Sequence, residues 1–194
     1  MIYLGLIALA TLAANGVTRL RLIAVAFVAI AAVAGFISAG VAPAQEVALT
    51  TAAGLAAAGI LFVAARDATY GEDPGWRLWL GTLTAAIVTP LAYASFRTIS
   101  GEPAVLPLLQ DGSGVVVEVA GTWLLSSGVA IMLTARSAVR ASLAALVMVT
   151  GVQLLARLAP DARLATTLAL AWLEVLVALA GAFLIVNERA VRDA

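Results

Sequence analysis

Long apolar runs separated by short polar linkers dominate the pattern of this chain. A helix needs about 20 apolar residues to cross a bilayer, with a usable range of about 17–25. Seven segments approach or reach that length: 2–17, 20–41, 46–65, 76–96, 115–135, 141–157 and 164–186. The pattern therefore predicts an all-α, polytopic integral membrane protein with about seven transmembrane helices.

The longest polar interruption divides the predicted helices into two groups. It covers residues 98–114, contains two prolines and ends in a Gly-Ser-Gly sequence. Prolines and clustered small polar residues are typical of loops. We therefore predict an N-terminal four-helix membrane part at 1–97, a linker at 98–114 and a C-terminal three-helix membrane part at 115–194.

The composition agrees with a membrane protein and narrows its chemistry. Of 194 residues, 63% are hydrophobic, more than a soluble domain needs. The chain has no His and no Cys, so it lacks imidazole and thiolate metal ligands. The sequence shows neither a Gly-rich phosphate loop nor a nucleophile elbow. We expect no cofactor in this chain, no catalysis by this chain alone, and no nucleic-acid binding by its few dispersed basic residues.

The distribution of arginine predicts the orientation in the membrane. All 11 basic residues are arginines, and with seven spans eight of them fall on one side. These eight are Arg19, Arg21, Arg66, Arg77, Arg136, Arg140, Arg189 and Arg192. The other three are Arg97, Arg157 and Arg163. Because basic residues favour the cytoplasmic side, we predict that the N-terminus is outside and the C-terminus is cytoplasmic.

One acidic residue lies deep inside an apolar run. Glu174 is 11 residues after Arg163 and 15 before Arg189, or about 16 Å and 22 Å along a helix axis. A carboxylate at that depth costs about 2.5–3.5 kcal/mol on insertion scales. Small residues, which let another helix approach closely, share its helical face: Thr167, Ala171, Ala178 and Gly181. We predict that Glu174 faces protein or an internal water, and not lipid.

The role of Glu174 is open between two interpretations. In the first, the acid is neutral at rest and exchanges a proton with a hydrated neighbour. In the second, it only hydrogen-bonds a neighbouring helix. Thr150 and Gln153 share one face of the sixth span, and the Gln153 amide can both donate and accept. Glu174, Gln153 and Thr150 are therefore the candidate proton-path residues, with a Glu174–Gln153 contact as the specific hypothesis.

Two further acids lie near the ends of predicted spans. Glu46 opens the third span, and Glu118 follows three valines after the Gly-Ser-Gly sequence. Each lies about 18–20 residues before the arginine that closes its helix, which places it near the outer surface. We predict that both are interfacial carboxylates in contact with water.

The last 80 residues have a layout that resembles a known family. One span ends in "LTARSAVR", the next carries "MVTGVQLLA", and the last carries a mid-membrane acid followed by "NERAVRDA". This resembles the K-type subunit of NADH–quinone oxidoreductase (respiratory complex I), and more closely component E of hydrogenase-4 and formate hydrogenlyase-type complexes. In that component four additional helices precede a K-like three-helix unit. The resemblance covers about residues 115–194, and the N-terminal part is similar in helix count and in the "AAR" that closes its third span.

The resemblance implies a non-catalytic membrane subunit of a complex I-related, ion-translocating oxidoreductase complex similar to group-four membrane-bound hydrogenases. The implied partners are antiporter-like and H-type membrane subunits and hydrophilic redox subunits, in the inner membrane of a bacterium or archaeon. Glu174 falls on the family's acid in its last helix, whereas the sixth-span acid falls at or near Val149 and the third-span lysine near Ala53. The chain then either scaffolds the membrane arm, or coupling passes through partner subunits and Glu174.

A small independent membrane transporter or channel is the alternative from a different class. Such proteins hold their substrate near the bilayer midplane, often at broken helices. Pro90 predicts a kink in the fourth span. A third interpretation is a purely architectural membrane protein, in which Glu174 is a buried hydrogen-bonding group.

Overall fold

The residues that the structure describes form seven α-helices. In this computed structural model the described residues are 2–17, 19–66, 75–99, 112–159 and 164–193. The helices are α1 (Ile2–Gly16), α2 (Leu20–Ser38), α3 (Ala44–Ala64), α4 (Gly75–Ile99), α5 (Ser113–Thr134), α6 (Ala138–Ala156) and α7 (Leu164–Asp193). Six are long and apolar enough to cross a membrane, and α1 is a shorter apolar helix of 15 residues. The predicted all-α, multi-pass membrane fold is confirmed.

Local sequence explains where several of these helices begin and end. Pro43 directly precedes α3, where its missing N–H costs no helical hydrogen bond. Ser137 precedes α6, and its hydroxyl oxygen accepts a hydrogen bond from the backbone N–H of Arg140 at 3.3 Å. α4 continues as a helix through Pro90, and the Thr89 hydroxyl donates to Ala85 O at 2.6 Å. The chain therefore accommodates Pro90 without ending the helix.

The helix α6 lies at the centre of the bundle. It packs against α5, α7 and α2, while α3 packs against both α2 and α7. α1 contacts α2 and α5, and α4 packs mainly against α5. Helices from both sides of the predicted linker therefore share one interior. Most of that linker, 98–114, lies outside the described residues.

Contacts between helix ends show that the helices alternate in direction. The end of α6 meets the start of α3, the end of α4 meets the start of α5, and the end of α7 meets the start of α6. We call the end of the bundle that holds the start of α1 the N-terminal end. It also holds the starts of α3, α5 and α7 and the ends of α2, α4 and α6. The opposite end, where α7 finishes, is the C-terminal end.

Glycines allow α5 and α6 to pack with their backbones nearly in contact. A Cβ atom added at Gly151 would lie 2.9 Å from Gly121 O and 2.9 Å from Leu125 N, both backbone atoms of α5. A Cβ added at Gly128 would lie 2.9 Å from Ala144 O of α6. Small residues of this kind are what lets membrane helices gain close van der Waals contact. The position of α6, and of the polar residues that it carries, depends on this packing.

The variant Gly151→Ala is expected to push α6 away from α5 and to destabilise the fold by about 1–3 kcal/mol, because backbone atoms cannot rotate out of the way. The thermal unfolding midpoint of the detergent-purified protein measures the effect. Gly59→Ala is the matched control, since a Cβ added at Gly59 meets no atom within 4 Å. Equal midpoints for the two variants would contradict the close packing of α5 on α6.

Candidate functional site

Glu174 lies near the middle of α7 and is enclosed by protein. The residue is 1% exposed. The four residues predicted to share its face are also buried: Thr167, Ala171, Ala178 and Gly181. The prediction that this face turns toward protein and not toward lipid is confirmed.

The carboxyl group of Glu174 meets both of its predicted partners on α6. Gln153 Nε2 donates a hydrogen bond to Glu174 Oε2 at 2.9 Å, and also lies 3.3 Å from Leu170 O. Thr150 Oγ1 lies 3.5 Å from Glu174 Oε1 and 2.9 Å from Leu146 O. The hypothesis of a direct Glu174–Gln153 contact is confirmed.

The geometry at Thr150 suits a protonated carboxyl group. A threonine hydroxyl carries a single hydrogen. Because Leu146 O is closer to Thr150 Oγ1 than Glu174 Oε1 is, the hydrogen is best placed toward Leu146 O. A lone pair of Thr150 Oγ1 then faces the carboxyl group and can accept a hydrogen bond from a proton on Oε1. Both carboxyl oxygens can therefore be hydrogen-bonded when the acid is neutral.

Two further helices approach Glu174 because α3 has a glycine opposite it. A Cβ atom added at Gly54 would lie 3.3 Å from Glu174 Oε1 and 2.8 Å from the Cβ of Ala31 on α2. A side chain at position 54 would therefore force α2 and α3 apart or displace the carboxyl group. Gly54 and Ala31 mark the level of Glu174 on α3 and α2.

A small cavity lies beside Glu174 on the side of the N-terminal end. Its volume is about 10 Å³, at the lower limit of what a single water molecule needs. Its polar lining residues are Ser38, Thr50, Thr51, Thr150, Gln153 and Arg157. A second cavity of about 10 Å³ shares three of these residues and reaches Thr166 and Thr167 at the start of α7. Polar groups therefore continue from Glu174 toward the N-terminal end.

Arg157 and Glu46 connect the helix ends around these cavities. Arg157 Nη2 donates to Thr50 Oγ1 at 2.6 Å and to Glu46 O at 3.3 Å. The Thr167 hydroxyl donates to Glu46 Oε2 at 3.3 Å, and Glu46 is half-buried. In the sequence, Arg157 contributes only to the predicted orientation. Its spacing of four residues from Gln153, on the same helical face, was the signal that could have placed it at the site.

The prediction that Glu118 contacts water is wrong. Glu118 is 6% exposed, and its Oε2 accepts a hydrogen bond from Arg97 Nη1 at 3.1 Å in a buried ion pair. Arg97 is also 6% exposed and lies 3.4 Å from the Tyr93 hydroxyl. The acid is near the end of its helix as expected, but its side chain points toward α4. Spacing along one helix predicts depth in the membrane and does not predict which neighbour the side chain meets.

The described residues thus bring together Glu174, Gln153 and Thr150 and separate them from Glu118. Glu46 lies on the N-terminal side of the same polar region, where it contacts α7 and the end of α6. This arrangement can hold a proton on a buried carboxyl group and exchange it through hydroxyl groups or a water molecule. Comparisons with protein-family models, with curated proteins and with solved structures found no match for this chain.

Proposed function

We propose that this chain is a non-catalytic membrane subunit of a complex I-related, ion-translocating assembly similar to group-four membrane-bound hydrogenases. In this proposal it scaffolds the membrane arm and contributes Glu174 to a proton path. The observation that carries the proposal is the burial of Glu174 between Gln153 and Thr150, beside a cavity of the size of one water molecule. Intramembrane acids are expensive to bury and commonly mark proton or ion pathways.

Chemistry favours an ionisable role for Glu174 over a purely structural one. A glutamine or a hydroxyl side chain could hydrogen-bond Gln153 without the cost of about 2.5–3.5 kcal/mol that insertion scales assign to a carboxylate at this depth. What only the carboxyl group adds is the ability to release and recover a proton. The neutral acid can keep a hydrogen bond to each of its neighbours on α6, and the adjoining cavity offers a place for the water that would receive the proton.

The two departures from the resembled family also lie around Glu174. Val149, where the resemblance places an acid, precedes Thr150 in α6, and Ala53, near the expected lysine, precedes Gly54 in α3. The chain therefore carries apolar side chains at two positions where the family carries ionisable ones. A proton that reaches Glu174 would then continue through water, hydroxyl groups or the side chains of partner subunits.

The arginine distribution supports an orientation for this proposal. Eight of the 11 arginines belong to segments at the C-terminal end, and basic residues favour the cytoplasm. The N-terminal end would then face the outside of a bacterial or archaeal inner membrane. The polar cavities beside Glu174 would lie on the outer side of the midplane.

Affinity purification from native membranes in a mild detergent tests the proposed assembly. We expect the tagged chain to recover antiporter-like and H-type membrane subunits together with hydrophilic redox subunits in stoichiometric amounts. An unrelated tagged polytopic protein at the same expression level controls for non-specific recovery. A monodisperse single chain that transports a solute in liposomes would overturn the proposal in favour of an independent transporter.

A further inference from the structure

We propose that a polar access route joins Glu174 to the N-terminal end of the bundle only, and that Arg157 is the gate of this route. The route is a property of the packing and stands without any assumption about partner subunits. Its use by protons rests on the proposed function of Glu174.

The route consists of the two small cavities described above. The first is lined by Glu174, Gln153, Thr50 and Arg157, and the second shares Gln153, Thr50 and Arg157 and reaches the start of α7. The shared residues make the two cavities neighbours. Each has about 10 Å³, so a movement of one shared side chain is enough to connect them for a water molecule.

Arg157 has the position and the chemistry of a gate. It directly follows α6, one helical turn beyond Gln153, and lines both cavities. Its Nη2 is held by Thr50 Oγ1 and Glu46 O, whereas its Nη1 is buried and has no hydrogen-bond partner among the described residues. A buried N–H group without a partner favours a water or a carboxylate within reach. The positive charge also repels hydrated cations that enter from the N-terminal end.

Toward the C-terminal end the packing around α7 is apolar. Ala58 and Leu61 of α3, Leu146 of α6 and Ala178 of α7 are all at most 1% exposed. A Cβ atom added at Gly181, two turns beyond Glu174, would overlap Ser142 and lie 3.4 Å from Leu61 Cδ2. A water molecule needs two to four polar partners, and this layer presents mainly methyl and methylene groups. This apolar layer therefore closes the route between Glu174 and the C-terminal end.

The natural lack of cysteine in this chain makes the route directly measurable by single-cysteine labelling. Ala34 lies one turn from Ala31 toward the N-terminal end and lines the first cavity, at 5% exposed. Ala58 lies one turn from Gly54 toward the C-terminal end, at 1% exposed. The variants Ala34→Cys and Ala58→Cys are therefore a matched pair of buried positions on opposite sides of Glu174.

Labelling uses membrane-impermeant methanethiosulfonate reagents, one cationic and one anionic, on vesicles of both orientations. We expect Ala34→Cys to react slowly, and only from the N-terminal end, while Ala58→Cys reacts from neither end. Adding Arg157→Ala should raise the rate at which the cationic reagent labels Ala34→Cys by about tenfold or more, because a repelling charge at the entrance is removed. The labelling rate with the anionic reagent should rise less. With Arg157→Lys, which keeps the charge, labelling by the cationic reagent should remain slow.

Three results would overturn the inference. The first is labelling of Ala34→Cys from the C-terminal end. The second is labelling of Ala58→Cys at the same rate as Ala34→Cys. The third is a rate of labelling of Ala34→Cys by the cationic reagent that is identical with and without Arg157. Arg66→Ala, which removes an exposed arginine at the C-terminal end, controls for a general effect of charge. If Arg157→Ala does not fold, the sidedness of labelling with Arg157 present still decides whether the route exists. A confirmed route with unchanged proton pumping in a Glu174 variant would refute the proposed proton-path role of Glu174 and would leave the route itself standing.

Discussion

In the proposed assembly, replacing Glu174 with Gln is expected to reduce proton translocation by about tenfold or more, with no loss of assembly. The amide has nearly the shape of the carboxyl group. Its oxygen can accept from Gln153 Nε2, and its NH₂ can donate to Thr150 Oγ1, so both contacts of the neutral acid are retained. What the variant loses is the ability to exchange a proton.

The measurement combines proton pumping in inverted membrane vesicles with the yield and thermal midpoint of the purified assembly. Glu188→Gln on the same helix is the control. Glu188 Oε2 accepts a hydrogen bond from the backbone N–H of Ala138 at 2.8 Å, and an amide oxygen can accept the same bond. Pumping that survives in Glu174→Gln at the rate of the control would assign Glu174 a structural role only.

The position of a residue along its helix was predictable from the sequence, whereas side-chain partners were predictable only in part. Glu174 was placed correctly because its helical face carries small residues at four positions, and a stripe of this kind indicates close packing in a membrane. No comparable stripe identifies the neighbour of Glu118. Its partner Arg97 is on another helix, 21 residues earlier in the chain, and hydropathy does not contain that information.

The end of the last helix shows a second limit of the apolar pattern. The predicted span was 164–186, but α7 continues to Asp193. The sequence "NERAVRD" is polar yet contains good helix formers, and Glu188 within it contacts the start of α6. Hydropathy indicates which part of a helix can lie in the hydrocarbon region of a bilayer. Helix propensity and tertiary contacts, such as the one made by Glu188, determine where the helix ends.

The stability of the protein is expected to depend strongly on the buried ion pair between Arg97 and Glu118 at the N-terminal end. Removing one partner with Arg97→Ala or Glu118→Ala leaves the other charge buried without its opposite charge in the ion pair, at a cost of about 3–5 kcal/mol. The side chains are 7% and 9% exposed, so water cannot easily solvate the remaining charge. We expect each single variant to lower the thermal midpoint of the purified protein markedly and to loosen α4 from α5.

The double variant Arg97→Leu/Glu118→Leu separates the cost of removing one charge from the contribution of the ion pair to stability. Apolar side chains of similar size remove both charges, and replacing a buried ion pair in this way is often neutral or stabilising. The double variant is therefore expected to be more stable than either Arg97→Leu or Glu118→Leu, with a coupling of about 1–3 kcal/mol between the sites. Additive losses would mean that each side chain stabilises α4 or α5 independently. Coupled losses would show that each side chain stabilises the fold mainly through the other, and a double variant as stable as the natural protein would show that apolar packing alone can hold α4 against α5.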